Sequence, residues 1–493
     1  MASVRCSMGR AVVLALLLVV GDLLVPRTAS ADASSTHAET CSACISIRIG
    51  VPRVVRGPAA NMADNRFTEI TLPDGRFRGF DAHGDTRAID GHDPEDMDGA
   101  ERSVMGPGKP GAYDACGRWL NHAEHDGNRV LGFVHAETAC HYAIGQTHKS
   151  MAMAVSSDNG ITWRDLGQII TGTDKPTTGK NTGEGDCTVV NGQDGYRYAY
   201  CFRPRDGGLI VARDSTVDAI PGHWTKFFEG KWEQPGLGGN ATRLVDGSGA
   251  SASFWKATGA IVLTGWVKGG LGVRLTQDHT TMSVLDEPLL PVDPGEWQRP
   301  AATELIFYPV LLDAVDGSNQ LSNMWMLIYA YIPPNEDGSQ KYLVFRKVAV
   351  SVSNKPVTPQ VGVQLARWYA PTLHDRWSTT AAVPGNNRIY KLEATSGYLM
   401  TAAPRGEASV ELEDCVSQHP GHLDHMLAEK GFCEAHAYQR LRTAGWVFAQ
   451  AKSGTIPLYR CYDVRAPSHF ASNAPDCEAL GEKERLLGYA LKQ

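Results

Sequence analysis

From about residue 60 to residue 355 the chain is a succession of short segments rich in β-branched and aromatic residues, each closed by Gly, Asp or Asn. Val130–Val134, Met151–Val155, Tyr196–Phe202, Ile261–Trp266 and Met324–Tyr331 are examples. Such segments read as strands. No amphipathic stretch of about ten or more residues interrupts them, which excludes helical and alternating α/β folds. The strands also recur in units. A strand ending in a polar turn, followed by Trp or another hydrophobe, occurs at Ala154–Trp163 and at Val211–Ser215 leading to Trp224. Degenerate copies stand at Arg274–Asp278 and Val348–Val352. With an opening unit around Phe67–Ile89 this makes five units of about 55–75 residues. Repeated sets of four short strands are the signature of a β-propeller, whose blades leave only short, protected edges. The expected fold is all-β, with a five-bladed β-propeller over residues 65–355.

A different rhythm starts at residue 366. Arg367-Trp368-Tyr369, Asp414-Cys415-Val416 and Arg460-Cys461-Tyr462 open three units, which close on Gly397-Tyr398, Gly445-Trp446 and Gly488-Tyr489. Three units of this size predict a threefold, trefoil-like β module over residues 366–493. Residues 356–365, entered through Asn354, Pro356, Thr358 and Pro359, form the expected linker. Residues 32–64 are assigned to an N-terminal extension.

The first residues read as an export signal. Arg5 and Arg10 precede the apolar run Ala11–Val20, and Ala29-Ser30-Ala31 is a small-x-small cleavage pattern. Cleavage near Ala31 makes residues 1–31 a signal peptide and the protein secreted and extracellular. The run is too short to span a bilayer. Of the 11 cysteines, Cys6 leaves with the leader, and an even number remains for an oxidising compartment. Expected pairs are Cys187–Cys201, Cys415–Cys433 and Cys461–Cys477, with Cys116–Cys140 and Cys41–Cys44 as weaker expectations. The net charge is −7, with no basic run longer than two residues, so nucleic acid is not an expected partner. A monomer without a membrane span is expected.

In a propeller the innermost strand of each blade enters from the ligand face, so polar residues at its start point into the central funnel. The sequence offers Asp85 in the first unit, Glu124 in the second, Glu184 and Asp186 in the third, and Glu304 in the fifth, with Arg299 just before it. The fourth is small and apolar at Ala250–Ser253. His135 and Glu137 end a hydrophobic strand, and alternation puts both on one face. Glycoside hydrolysis needs two carboxyl groups flanking the scissile bond, and a third can tune the acid. Asp85, Glu137 and Asp186 are the expected catalytic carboxylates: Glu137 as acid, Asp85 as base, Asp186 as base or modulator. Glu124, His135, Glu184, Arg299 and Glu304 are expected to bind substrate. For each, a turn cap, a rim position or a bond to a neighbouring blade is the alternative. No metal ligand is assigned and no cofactor is required. A structural calcium is an option at the acidic loop Asp90–Gly99, although a solvated loop is favoured because the closing Glu of an EF-hand is missing.

Ser157-Asp158-Asn159-Gly160-Ile161-Thr162-Trp163 resembles the Asp box of sialidases and related propeller glycosidases. Together with Trp119–Glu137 and the Gly185-Asp186 strand start, it makes the chain similar to secreted five-bladed propeller glycosidases, a superfamily that includes arabinanases and other furanosidases. The resemblance covers residues 65–355 and implies hydrolysis of a polysaccharide or glycoconjugate. No sialidase-type arginine triad is present, so sialic acid is not favoured. The C-terminal module resembles those appended to secreted bacterial hydrolases, which implies binding of polymer or cell wall. It lacks the Gln-x-Trp pattern of ricin-type trefoils. Two other readings stand beside this one: a non-catalytic carbohydrate-binding or adhesin propeller, and a polysaccharide lyase using His135 with Arg87.

Overall fold

The computed structural model describes residues 41–216, 220–247, 251–293, 295–382 and 389–492. The signal peptide, its cleavage site at Ala31, Cys6 and Ala250 lie outside the described residues. The fold is all-β: strands carry almost every element, and the single α-helix among the described residues is Phe432–Ala435. No described helix is long and apolar enough to cross a membrane.

Four sheets stand as discrete blades. The first is Thr68–Thr71, Phe77–His83, Asp85–Gly91 and Arg102–Met105. The second is Gly117–Asp126, Arg129–His141, Gln146–Ser156 and Arg164–Thr171, with the short Asn181–Gly183 added in parallel to Gln146–Ser156. The third begins with Gly185–Asn191, Tyr196–Arg203 and Gly208–Ser215, and the fourth with Ser251–Trp255, Ala260–Val267 and Gly270–Thr276. The expected fifth blade is not discrete. Leu305–Asp313, Met324–Ile332 and Tyr342–Val352 pair in order, but the sheet runs on through Ile45–Ile49 into the C-terminal module, fourteen strands in all. Ile45–Ile49 is antiparallel to Val348–Val352 and parallel to Val361–Val363. Within the segment assigned to an extension, Ile45–Ile49 is thus a central strand, because Ile45, Ile47 and Ile49 are apolar on one face and fully buried. Its partner Val361–Ala370 lies partly inside the expected linker.

The turn at Ser156–Trp163 shows how blades are locked. Asp158 accepts from the Thr162 amide at 2.9 Å and from its hydroxyl at 2.7 Å, while the Ser156 hydroxyl accepts from the Gly160 amide at 2.8 Å. Trp163 donates to the Gly160 carbonyl at 3.1 Å and meets Phe80 of the first blade edge-on at 6.0 Å. Gly160 has φ 82°, and a Cβ there would stand 2.5 Å from Phe80. Only glycine fits that conformation and that contact. The fourth blade repeats the device, with Asp278 accepting from the amides of Thr280 and Thr281.

The C-terminal module is three repeats of long strand, short strand, long strand. Asp375 accepts from the His425 amide at 2.9 Å and the Tyr390 hydroxyl at 2.5 Å. One repeat on, Asp424 accepts from the His469 amide at 2.7 Å and the Tyr438 hydroxyl at 2.6 Å. Ser468 closes the ring by accepting from the Arg376 amide at 2.7 Å. Each repeat therefore holds the next. The five expected disulfides are all present, including Cys415–Cys433 and Cys461–Cys477 within the second and third repeats.

A buried ion pair joins the module to the propeller. Arg442 bonds Glu304 at 2.7 Å, Thr380 at 2.8 Å and the Pro291 carbonyl at 2.9 Å. Asp414, 3.7 Å away, is raised to about 6 by burial despite that arginine. Removing one partner of such a set strands the other's charge. Arg442→Met is expected to lower unfolding stability by about 3–5 kcal/mol in chemical denaturation. A loss below about 1 kcal/mol, the value of a surface pair, would contradict the burial argument.

Candidate active site

The lead-in to Thr68–Thr71 and the starts of Gly117–Asp126, Gly185–Asn191 and Leu305–Asp313 meet around a cavity of about 420 Å³. Asp64, Trp119, Asp186 and Tyr308 come from these inner strands or their lead-ins. Arg129–His141 adds His135 and Glu137, Gln146–Ser156 adds Lys149, and the turn between those two adds Tyr142. His83 lines the wall from the first blade.

Strand pairing brings the charges together. His135 and Glu137 share a face, as alternation requires, and Glu137 lies directly opposite Lys149 in register. The Lys149 ammonium bonds Glu137 Oε1 at 2.8 Å and reaches across to the third blade, bonding Asp186 Oδ2 at 2.9 Å. The Tyr142 hydroxyl donates to the other Glu137 oxygen at 2.6 Å. Asp186 sits at a bulge with φ 49°, a strained conformation for a side chain larger than glycine. That turn aims its amide at His135 Nδ1, 3.0 Å away. An amide can only donate, so Nδ1 is the acceptor and Nε2 carries the proton, which it gives to Glu137 Oε1 at 3.1 Å.

Burial opposes both carboxylate charges, but the neighbouring cations and the His135 hydrogen bond to Glu137 outweigh it. His135 and Lys149 hold Glu137 well below the usual carboxylate range. The Lys149 and Arg66 cations do the same for Asp186. Lys149 is raised because the two carboxylates overcome its own burial. Burial and the adjacent Glu137 push Tyr142 up, keeping its hydroxyl protonated.

The site thus collects Glu137, Asp186 and His135 but not Asp85. Asp85 is turned to Arg87, 3.3 Å away, and does not line the cavity. Glu124 lies towards the far end of its inner strand, paired with Arg197 and His122. Glu184 is buried behind the third blade on Lys226 at 2.6 Å. Glu304 belongs to the Arg442 pair. Arg299 is spent on the carbonyls of Thr303, Pro333 and Glu336. In the acidic loop, Arg78 and Arg102 take Asp90, and Arg53 takes Asp96. His83, Trp119 and Tyr308 also line the cavity; Asp64, Tyr142 and Lys149 were not expected. The polar run Gln146–Ser150 ahead of Met151 was the available signal for Lys149: it continues the strand upward to the funnel mouth.

No family model matches the chain, and no curated protein matches it. Among solved structures it is similar to a family 117 glycoside hydrolase from the marine bacterium Zobellia galactanivorans, at 9% identity and TM-score 0.42, over 64% of this chain and 94% of that one. It is similar to the catalytic domain of a GH62 α-L-arabinofuranosidase from Coprinopsis cinerea, at 12% and 0.40, over 62% and 98%. A protein of unknown function from Dyadobacter fermentans gives 11% and 0.38, over 62% and 99%. Likenesses this distant carry no argument about chemistry.

Lys149→Met tests the electrostatics. In the folded protein both carboxylates lie below the ordinary 4.5 of Glu and 3.8 of Asp. Their contribution to stability is present above those values and is lost as pH falls through the depressed folded ones. Without Lys149, burial dominates, and acidification relieves the penalty. The variant should lose about 3–5 kcal/mol at about pH 7 and clearly less at about pH 4 in urea denaturation. Equal losses at both would contradict the shared-cation account.

Proposed function

We propose that the protein is a secreted glycoside hydrolase that acts on a polysaccharide or glycoconjugate, with Glu137 and Asp186 as its reacting carboxylates. The observation that carries this reading is the convergence of two ionised carboxylates from different blades on one ammonium, inside a polar cavity of about 420 Å³. Two carboxylate oxygens that share one Nζ, at 2.8 and 2.9 Å, are near enough to act on one bound sugar.

Sequence alone points to Glu137 as the acid, and its environment argues against that in the resting state. A carboxylate held ionised by Lys149 and His135 is a base or nucleophile. Asp186 shares that character. The proton donor in this reading is the Asp64–His83 pair, whose nearest atoms are 3.4 Å apart on the cavity wall. Tyr142, more than half exposed with its hydroxyl on Glu137, contacts the incoming sugar. The C-terminal module binds the polymer, and tethering raises the local concentration of scissile bonds.

The same neutralised pair favours one other reading, a propeller that binds carbohydrate without cleaving it. Product analysis on an array of polysaccharides separates the two. Under the hydrolase reading sugars are released, and Glu137→Gln and Asp186→Asn each slow release ~10²–10⁴-fold while remaining folded. His83→Ala slows glycosides with poor leaving groups far more than activated aryl glycosides. Binding without release by the wild type supports the lectin-like reading, and full activity in both carboxylate variants removes these residues from the reaction.

A further inference from the structure

The inner strands end at a second cavity, of about 300 Å³. Its wall is Glu69–Thr71 of the first blade, His122–His125 of the second, Asn191 of the third, and the loop Asp316–Gln320 after Leu305–Asp313. The proposed reacting pair gathers where these strands begin, so the two cavities lie at opposite ends of the bore.

Glu69 lines this second cavity. It is 3% exposed, and neither carboxyl oxygen has a hydrogen-bond partner. Gly317 presses on it: a Cβ there would stand 2.3 Å from Oε1, and φ of 69° suits glycine. The other carboxylates of the wall have partners. Glu124 is held by Arg197 and His122, and Asp316 Oδ1 accepts from the Ser318 amide at 2.9 Å. Burial, then the carboxylates of Asp316 and Asp93, push Glu69 well above its ordinary range. Buried carboxylates are ordinarily paired or bound to a cation.

We infer that Glu69 and Asp316 form a binding site for a hard cation of the calcium class. The wall offers oxygen donors, including the side-chain amides of Asn191, Gln193 and Asn319, and no sulfur. Hard cations take six to eight oxygens, with amide carbonyls and water completing the set. Among the described residues no group of three or more His, Cys, Asp or Glu is placed to hold a metal, so the ligands beyond Glu69 and Asp316 must be amide or backbone oxygens and water. Glu69 belongs to the first blade and Asp316 to the last sector, and Thr71 already donates to the Asp316 carbonyl at 3.1 Å across that seam. A bound cation staples the ring where its two ends meet.

The test uses the full chain after chelation, titrated with calcium chloride in calorimetry and thermal unfolding, against sodium chloride at equal ionic strength. The site predicts saturable uptake and a Tm rise of a few degrees with calcium only. It predicts binding weakened about tenfold or more in Glu69→Gln and in Asp316→Asn. Asp316 is exposed, so its variant reads the site even if Glu69→Gln fails to fold. Absence of saturable uptake, or uptake unchanged in Asp316→Asn, overturns the inference. Neither result bears on the reacting pair at the other end.

Discussion

One ammonium at the mouth of the bore organises what surrounds it. Lys149 is directly opposite Glu137 in its own sheet and spans to Asp186 in the next, so a single side chain both fixes the pair and ties two blades together. Neither carboxylate could remain charged in that environment by itself, because burial works against both. The strained backbone of Asp186 belongs to the same arrangement: its amide sets the His135 tautomer, and His135 then supports Glu137.

The scaffold makes this placement rigid. Cys116–Cys140 brackets the edge from which Glu137 projects, and the Cys116 amide bonds the Glu137 carbonyl at 3.0 Å. Trp163 and Phe80 fix the first blade against the second. At the closing seam the N-terminal strand Ile45–Ile49 is shared between the last sector and the C-terminal module. The two parts therefore pack as one sheet rather than swinging on a linker, and Arg442 with Glu304 fastens the same junction from beneath.

Much of this was legible in the sequence. Alternation placed His135 and Glu137 on one face, and the Asp158 turn was readable because its hydrogen bonds are local. The disulfides followed from spacing and repeat equivalence. What failed was the phase of the inner strands. Thr68–Thr71 is only four residues long and carries Glu69, so the first unit was read two strands late, which put Asp85 in the place that Asp64 occupies. In the second unit the inner strand begins at Gly117, which leaves Glu124 near its far end. Glu304 and Ile45–Ile49 were misjudged for a different reason: their partners lie 138 and 299 or more residues away in the chain, and no local pattern announces such contacts.

The most direct measurement is the titration of the Glu137 and Asp186 side-chain carboxyl carbons by NMR, from neutral pH downward. Charges held by a common cation should remain ionised after ordinary carboxylates have protonated, with both signals flat through 4.5 and 3.8, the usual values for Glu and Asp. Protonation of either group at or above its usual value would contradict the account.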